Sequence, residues 1–152
     1  MSEFIMLVKT KISDAYKEIE VHVCNYEMNC QVEEVAAQIS HMVNDTITGT
    51  DKNGIRLLQT SEVIRFFAEN QRVLAQDAQG LCTIHQKLYE LEQLLDSGQF
   101  LRISKSEIVN LRKIQRLDMN LAGTIKVILC DGTQTYTSRR NIPRLKKALG
   151  IY

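Results

Sequence analysis

Short β-forming runs follow one another at close spacing after residue 50, and this feature constrains the fold most. The runs include IRLL, EVIRFFA, RVLAQD, GLCTIHQ and TIKVILCDGTQTYTS, and residues such as EN and AQG separate them. Short strands joined by close turns are typical of an antiparallel sandwich or barrel-like sheet. A regular alternation of strands with helices is missing, as is a glycine-rich nucleotide-binding loop. We therefore predict a mainly β (α+β) domain, and 152 residues suffice for one domain with a small appendage.

Three amphipathic segments predict helices around these strands. In NCQVEEVAAQISHMVND, apolar residues recur at helical spacing and Asn29 is placed as the N-cap. In KLYELEQLLDSG, the leucines at 88, 91, 94 and 95 share one face and Gly98 is placed to stop the helix. In NIPRLKKALG, Asn141 precedes Pro143 and Gly150 ends the pattern.

Two further local patterns predict a turn and a boundary. Asp131-Gly132 lies between two β-rich runs, which predicts a hairpin with a two-residue type I′ turn. DTITGTDKNGIR, residues 45–56, is rich in turn formers and is the best candidate for a break. The runs MLVKTKI and EIEVHVCNY predict two strands before it. We thus expect a small β-β-α piece over residues 1–44, serving dimerisation or signal input, and a second domain over residues 50–152.

The charge is distributed unevenly along the chain. Residues 1–100 contain 8 Lys and Arg against 15 Asp and Glu, a net charge of −7. Residues 101–152 contain 11 against 3, a net charge of +8, and the sum is the +1 of the whole chain. A basic segment of this kind indicates a polyanionic partner. A solvated basic face without a partner fits the charge equally well.

The segment FLRISKSEIVNLRKI, residues 100–114, combines aliphatic residues with four cations. As a helix it would scatter the aliphatic residues around the cylinder. As a strand, Leu101 and Ile103 face one way while Arg102 and Ser104 face the other. We therefore predict a strand, a basic turn at Lys105 with serines on both sides, and a second strand.

Several ordered segments resemble the LytTR DNA-binding domain of bacterial transcription regulators. They are SEVIRFFAEN, LYELEQLL, FLRISKSEIVNL and, after the DG hairpin, YTSRRNIPRLKKAL, so the resemblance covers about residues 50–151. The family pattern Phe-x-Arg-x-His-Arg/Lys-Ser, an aromatic residue, two aliphatics and Asn is matched at Phe100, Arg102, Lys105, Ser106, Ile108, Val109 and Asn110. Ser104 replaces the His and Glu107 replaces the aromatic residue, departures that concern base preference more than the fold.

The resemblance implies elongated antiparallel β-sheets with short helices, and a regulator that reads double-stranded DNA. Such domains insert loops into successive major grooves and bind as dimers or pairs on repeated sites. Base contacts are expected from Asn70, Gln71 and Arg72, from Lys105, and from Arg140 with Arg139 beside it. Arg102 pairs with an acid or with DNA. Ser104, Ser106 and Asn110 donate to phosphates or to local turns.

The remaining residues indicate no enzyme. The three histidines have no nucleophile at a catalytic spacing, and the four cysteines match no zinc signature, so no catalytic residue, metal or cofactor is expected. Cys82 and Cys130 lie in strand-like runs and are expected to pack as small hydrophobes. Without a secretory signal or membrane-spanning run, we expect a cytoplasmic protein without direct membrane insertion.

Other partners fit the same residues. Residues 1–44 are too short for a phosphoryl-receiver domain and lack its strand-end acids. A homodimer is expected, and a membrane-embedded regulatory protein is a candidate partner for the acidic first 100 residues. The alternative function is a non-enzymatic interaction module whose basic C-terminal part binds an acidic protein.

Overall fold

The computed structural model describes residues 29–119 and 123–151, together with residues 10, 13, 15, 21–25 and 27. Of the predicted strand MLVKTKI only residue 10 is described, so that prediction lies outside the described residues. In the second predicted strand, EIEVHVCNY, residues 21–25 are described and form no strand. The chain divides into two compact units, Met1–Ala36 and Ala37–Tyr152. Among the described residues, no helix is long and apolar enough to cross a bilayer.

The first helix, α1, covers Cys30–Asn44. Asn29 caps it as predicted, because its Oδ1 accepts a hydrogen bond of 3.1 Å from the backbone N–H of Val32. Glu33 lies in the first turn, where the helix dipole favours an acid.

The second unit is mainly antiparallel β-sheet with short helices, which confirms the predicted fold class. Its strands are β1 Thr46–Asp51, β2 Gly54–Gln59, β3 Arg65–Glu69, β4 Arg72–Asp77, β5 Gly80–Ile84, β6 Phe100–Ser104, β7 Glu107–Asn110, β8 Ile114–Met119, β9 Ile125–Leu129 and β10 Gln134–Thr137. Helices α2, Leu88–Leu94, and α3, Ile142–Ala148, and three 3₁₀ turns, Thr60–Glu62, Leu111–Lys113 and Arg139–Asn141, connect or follow them. Seven strands form one sheet in the order β2-β1-β5-β4-β3-β7-β6, and β10-β9-β8 form a second.

The segment predicted as a break, residues 45–56, is not a break. It forms β1, a two-residue connection and the start of β2, which pair from Thr46↔Gln59 to Asp51↔Gly54. The polar residues alternate with a buried side that contains Ile47 and Gly49. One face of this hairpin is solvated and therefore carries polar residues of the kind found in turns. The sequence resembles a turn for this reason, although the residues pair as strands.

The predicted type I′ turn at Asp131-Gly132 is also wrong in its detail. The β9–β10 hairpin is present, but its loop has three residues: Leu129 N–H donates to the Thr133 carbonyl at 2.9 Å, and Gly132 N–H donates to the Leu129 carbonyl at 2.9 Å. Gly132 has a φ of 86°, whereas Asp131 does not have a positive φ. This is the geometry of a type I turn followed by a left-handed glycine. Cys130 lies in this loop and is exposed, so it does not pack as a core residue.

Two buried apolar clusters hold the sheets. One cluster joins β1–β7 with α2 and includes Phe66, Leu91 and Phe100, and the other joins β6, β7, β9 and α3. Helix α2 is shorter than predicted, because the chain leaves the helix at Leu95. Leu94 is 40% exposed and does not share the buried face of Leu88 and Leu91. Gly98 therefore does not stop the helix; it lies in a separate turn closed by a 2.8 Å hydrogen bond from Phe100 N–H to the Asp96 carbonyl.

Helix α3 agrees with its predicted ends. Asn141 stands at its N-cap, although the Asn141 side chain donates to Ser138 Oγ at 2.8 Å instead of capping the helix. Pro143 lies in the first turn, and Gly150, with a φ of 67°, follows the C-terminus. Leu145 is fully buried and anchors the helix in the second cluster.

Candidate nucleic-acid interface

Lys105 lies at an exposed turn between two buried strands. The predicted strand–turn–strand is confirmed: β6 ends at Ser104, Lys105 and Ser106 form the turn, and Ser104 pairs with Glu107 across it. Ser104 Oγ accepts a hydrogen bond of 3.3 Å from Ser106 N–H. Among the described residues, Lys105 forms no ion pair, and it is exposed at the tip of the β6–β7 hairpin.

Arg102 braces this turn from the side. Its guanidinium donates to the backbone carbonyls of Ser104 at 3.2 Å and Lys105 at 2.5 Å. The same group forms an ion pair of 2.9 Å with Glu92 of α2. The ion pair with Glu92 is one of the two partners expected for Arg102, and the hydrogen bonds of its guanidinium fix the backbone that presents Lys105.

Asn70 and Gln71 form a two-residue turn beside Lys105. Glu69 pairs with Arg72, and the φ angles of 50° at Asn70 and 64° at Gln71 are those of a type I′ hairpin. This is the turn type that the sequence predicts for the β9–β10 hairpin at Asp131-Gly132. All three residues Asn70, Gln71 and Arg72 are exposed.

The β3–β4 turn and the Lys105 turn lie at the same end of the seven-stranded sheet. Strand β3 pairs with β7 up to Phe67↔Glu107, and Ala68 N–H then donates to the Ser106 carbonyl at 2.8 Å. Ala68 is two residues from Asn70 and Ser106 is adjacent to Lys105. The two turns are therefore neighbours.

Arg139 and Arg140 join the same edge from the second sheet. Ser138 N–H donates to the Ile103 carbonyl at 2.8 Å, so the chain after β10 lies against β6 just before the Lys105 turn. Both arginines are exposed in the 3₁₀ turn Arg139–Asn141 that begins there. Lys105 is two residues after Ile103, and Arg140 is two residues after Ser138, so both cations lie close to this hydrogen bond. The three predicted contact segments thus converge.

Asn110 does not belong to this surface. It is fully buried, its Nδ2 donates to the Val63 carbonyl at 2.7 Å, and its Oδ1 accepts from Arg112 N–H at 3.0 Å. Its expected contact with a phosphate is therefore corrected: the side chain holds the end of β7 and exposes no surface to a ligand.

The other cations near the signature lie elsewhere. Arg112 and Lys113 follow β7 at the end opposite to Lys105. Arg116 is exposed and pairs with Asp118 at 2.8 Å, and this hydrogen bond raises the pKa of the Arg116 guanidinium. Arg116 is therefore a solvated residue of β8 that is paired with an acid on the same strand.

A buried polar cluster, missed in the sequence, lies beneath the three turns. Glu107 is 7% exposed, and its Oε1 lies 3.1 Å from Arg65 Nη1 while its Oε2 accepts from Thr135 Oγ1 at 2.5 Å. Arg65 in turn donates to Gln76 Oε1 at 2.8 Å. The only signal in the sequence is an acid at the start of the strand EIVN, where the family pattern has an aromatic residue.

The cluster continues from Gln76 to the β9–β10 loop. Gln76 Nε2 donates to Thr133 Oγ1 at 2.9 Å and also contacts the Asp131 carboxylate. Burial acts to raise the pKa of Asp131, but hydrogen bonds from Thr133 and Gln76 outweigh burial and lower it. The cluster therefore connects the seven-stranded sheet with the three-stranded sheet.

An antiparallel β domain with basic turns on one edge defines the class of protein. The chain matches the model of the LytTr DNA-binding domain over residues 53–150. The chain therefore belongs to the LytTr DNA-binding domain family, which is a family of regulators and not a class of enzymes.

Relatives and a solved structure agree with this assignment. An HTH-type transcriptional regulator from Staphylococcus aureus strain MSSA476 is 32% identical over 152 residues, covering 99% of this chain and 100% of the relative. A similarly named regulator from S. aureus strain NCTC 8325 is 32% identical over 156 residues, again covering 99% of this chain and 100% of the relative. The LytTr DNA-binding domain of a methyl-accepting/DNA response regulator from Bacillus cereus has a TM-score of 0.67 and 22% identity, covering 70% of this chain and 98% of that chain.

The helix-turn-helix in the relatives' names has no counterpart in the described residues 29–119 and 123–151. The three α-helices there are separated from one another by strands, and α2 and α3 have seven residues each. The exposed cations of the three turns, and not a recognition helix, form the candidate surface.

Proposed function

We propose that this protein is a sequence-specific transcription regulator that reads duplex DNA through three turns: Asn70–Arg72, Lys105–Ser106 and Arg139–Arg140. The turns insert into major grooves of repeated sites. The observation that carries the proposal is their convergence at one edge through the Ala68–Ser106 and Ser138–Ile103 hydrogen bonds.

Some residues at this edge are suited to phosphate contacts, which supply affinity for DNA, and others to base contacts, which supply specificity. Arg139 and Arg72 are exposed cations that can neutralise phosphates. Lys105 and Arg140 can reach O6 and N7 of guanine, and the amides of Asn70 and Gln71 can pair with adenine. Ser104 and Ser106 keep their hydroxyl groups beside Lys105, where they can donate to phosphate. Arg102 positions the Lys105 backbone through its hydrogen bonds to the carbonyls of Ser104 and Lys105.

The test begins with selection of bound sequences from a random DNA pool by the full chain. The Lys105→Ala, Arg140→Ala double variant should lose specific binding, because each guanine contact of this kind is worth about 1–3 kcal/mol. Fluorescence anisotropy over a salt series should give a log-linear loss of affinity for the wild type.

The matched control is Lys52→Ala, Arg112→Ala. It removes the same charge from exposed residues at the opposite strand ends, in the β1–β2 connection and after β7. It should retain sequence preference. Affinity that does not change with salt, wild-type binding by the first double variant, or preference for an acidic protein over duplex DNA would contradict the proposal.

Residues 1–44 are proposed to serve dimerisation or signal input for a homodimer on repeated sites, with the DNA-binding domain over residues 50–152. Control then acts through this segment, for example by contact with a membrane-embedded regulatory protein, and not through phosphorylation of a receiver domain. Because the target is chromosomal DNA, the proposal includes a cytoplasmic location. A truncation that starts near Asn44 should become monomeric or unregulated in light scattering and reporter assays; retention of both properties would refute this role.

A further inference from the structure

We infer that Glu107 is a positioning residue that holds the three turns in the mutual arrangement needed to read a base sequence. The inference rests on the proposed function and adds to it a buried residue, since Glu107 is 7% exposed. Glu107 stands where the family pattern has an aromatic side chain, so its carboxylate is particular to this chain's version of the pattern.

The contacts of Glu107 reach all three segments. Glu107 begins β7, directly after Lys105 and Ser106. Its Oε1 accepts from Arg65 at 3.1 Å, and Arg65 begins β3, which ends at the Asn70–Gln71 turn. Its Oε2 accepts from Thr135 Oγ1 at 2.5 Å, and Thr135 belongs to β10, which leads to Arg139 and Arg140. One carboxylate therefore connects the strands that carry each turn.

The chemistry of the site favours a fixed arrangement. A carboxylate accepts hydrogen bonds only, and each of its two oxygens has a partner from a different strand. Hydrogen bonds to an ionised group are stronger and geometrically tighter than neutral ones. Because Glu107 and Thr135 are 7% and 8% exposed, water cannot replace a lost partner easily.

Arg65 is itself held in place from three sides. It lies 4.0 Å from the centroid of the Phe67 ring and donates to Gln76 as well as to Glu107. The guanidinium of Arg65 thus links Glu107 to β3, where Arg65 lies, and to β4, where Gln76 lies. Of the two Glu107 contacts, the Thr135 bond is the one that crosses between the sheets, so a shift of the three-stranded sheet against β7 would break it.

The inference separates two properties of DNA binding. Non-specific affinity depends on the number of cations that reach phosphates, and none of them is removed by a change at Glu107 or Thr135. Specific affinity depends on several side chains meeting their bases at once. Loss of the Glu107 contacts should therefore reduce the ratio of specific to non-specific affinity and leave the salt dependence on random duplex unchanged.

Thr135→Val is the decisive variant, since it removes the hydroxyl group and preserves the shape of the side chain. It should lower the specificity ratio by about tenfold, a size typical for one lost base contact. Thr135→Ser keeps the hydroxyl and should restore the ratio. Thr137→Val is the matched control: Thr137 lies on the same strand, is 1% exposed, and its Oγ1 has no hydrogen-bond partner among the described residues.

Glu107→Gln provides a second variant in case Thr135→Val destabilises the sheet. It keeps the side-chain shape and removes the charge, and should also lower the specificity ratio. Circular dichroism and the salt slope on random duplex should match the wild type for both variants.

The outcomes are distinguishable from failure of the proposed function. If the wild type shows no salt-dependent preference for a selected duplex, the DNA-reading function itself fails. If the wild type shows this preference and folded Thr135→Val and Glu107→Gln keep the same ratio, the inference about Glu107 is overturned. An equal loss of specific and random binding, matching a loss of folded protein, would also overturn it.

Discussion

Gln71 occupies a backbone conformation that most side chains avoid. Its φ of 64°, after 50° at Asn70, places two non-glycine residues in the left-handed region. Asn tolerates this region, whereas glutamine has no comparable local hydrogen bond. The turn therefore keeps a strained residue at a place where its amide can meet DNA.

Replacing Gln71 by glycine should stabilise the fold and weaken DNA reading. Relief of left-handed strain is worth about 1 kcal/mol, and the freer unfolded chain offsets roughly half of it. We expect the urea midpoint to rise for Gln71→Gly. Gln71→Ala loses the amide but keeps the strain, so it should weaken specific binding without a rise; a midpoint equal for both variants would contradict the strain argument.

The residue scale also shows what sequence reasoning can and cannot reach. The turn at Lys105 is predictable because the strand alternation around it is local. Asn110 was misplaced, since its burial depends on the Val63 carbonyl, 47 residues earlier in the chain. Glu107 carries no local signal of a structural role, because Arg65 and Thr135 lie 42 and 28 residues away along the sequence and only the folded sheets bring them together.

Among the elements, the ends of α1 and α3 follow from local signals, whereas the polar hairpin at residues 45–56 depends on pairing with distant residues. Asn29, Pro143 and Gly150 mark helix ends by their own backbone chemistry. Residues 45–56 lack such a signal, because β1 becomes a strand by pairing with β2 and with β5, more than thirty residues away. The β9–β10 loop length likewise depends on the register Ile128↔Gln134, which Asp131-Gly132 alone does not determine.

Gly49 provides a test of the β1–β5 packing. A Cβ atom at this position would lie 2.8 Å from Cys82 Cβ and 3.0 Å from Leu58 Cδ1. Burial raises the pKa of the Cys82 thiol, consistent with its tight apolar surroundings. Gly49→Ala should therefore reduce the free energy of unfolding by about 1–3 kcal/mol, measured by urea denaturation.

Thr48→Ala is the control for this prediction. Thr48 is the neighbour of Gly49 on the same strand and is exposed, so its loss should change the free energy of unfolding by no more than about 0.5 kcal/mol. Equal midpoints for the two variants would show that the sheet accommodates the added methyl group.

In the second unit as a whole, polar contacts add to an apolar cluster that both sheets share, since Ile103 and Val109 of the first sheet pack with Val127 of the second. Asp131 and Thr133 hold the β9–β10 loop to Gln76 of β4, while Glu107 and Thr135 join β7 to β10. The relation of the sheets therefore depends on these polar contacts as well as on apolar packing.

Asp131→Asn should change the pH dependence of stability. Because the folded pKa is lowered, the ionised Asp131 stabilises the fold above its unfolded pKa of about 3.9, and this contribution is lost as the pH falls through the folded value. The difference in free energy of unfolding between wild type and variant should be constant at pH 5–7 and shrink below about pH 4. Urea titrations at several pH values measure it; a difference that grows on acidification would contradict the assignment.

The β3–β4 turn has a consequence for how target choice can change over evolution. The ladder below it is complete from Arg65↔Gln76 to Glu69↔Arg72, so the core ends before the turn begins. Lengthening a flexible loop costs only about 0.6 kcal/mol for each doubling. Insertions after Glu69 can therefore supply new base-reading side chains while strand register, both apolar clusters and the neighbouring Lys105 turn stay as they are. The hairpin tip is an exchangeable module, in which a new DNA preference can be acquired without redesigning the protein that presents it.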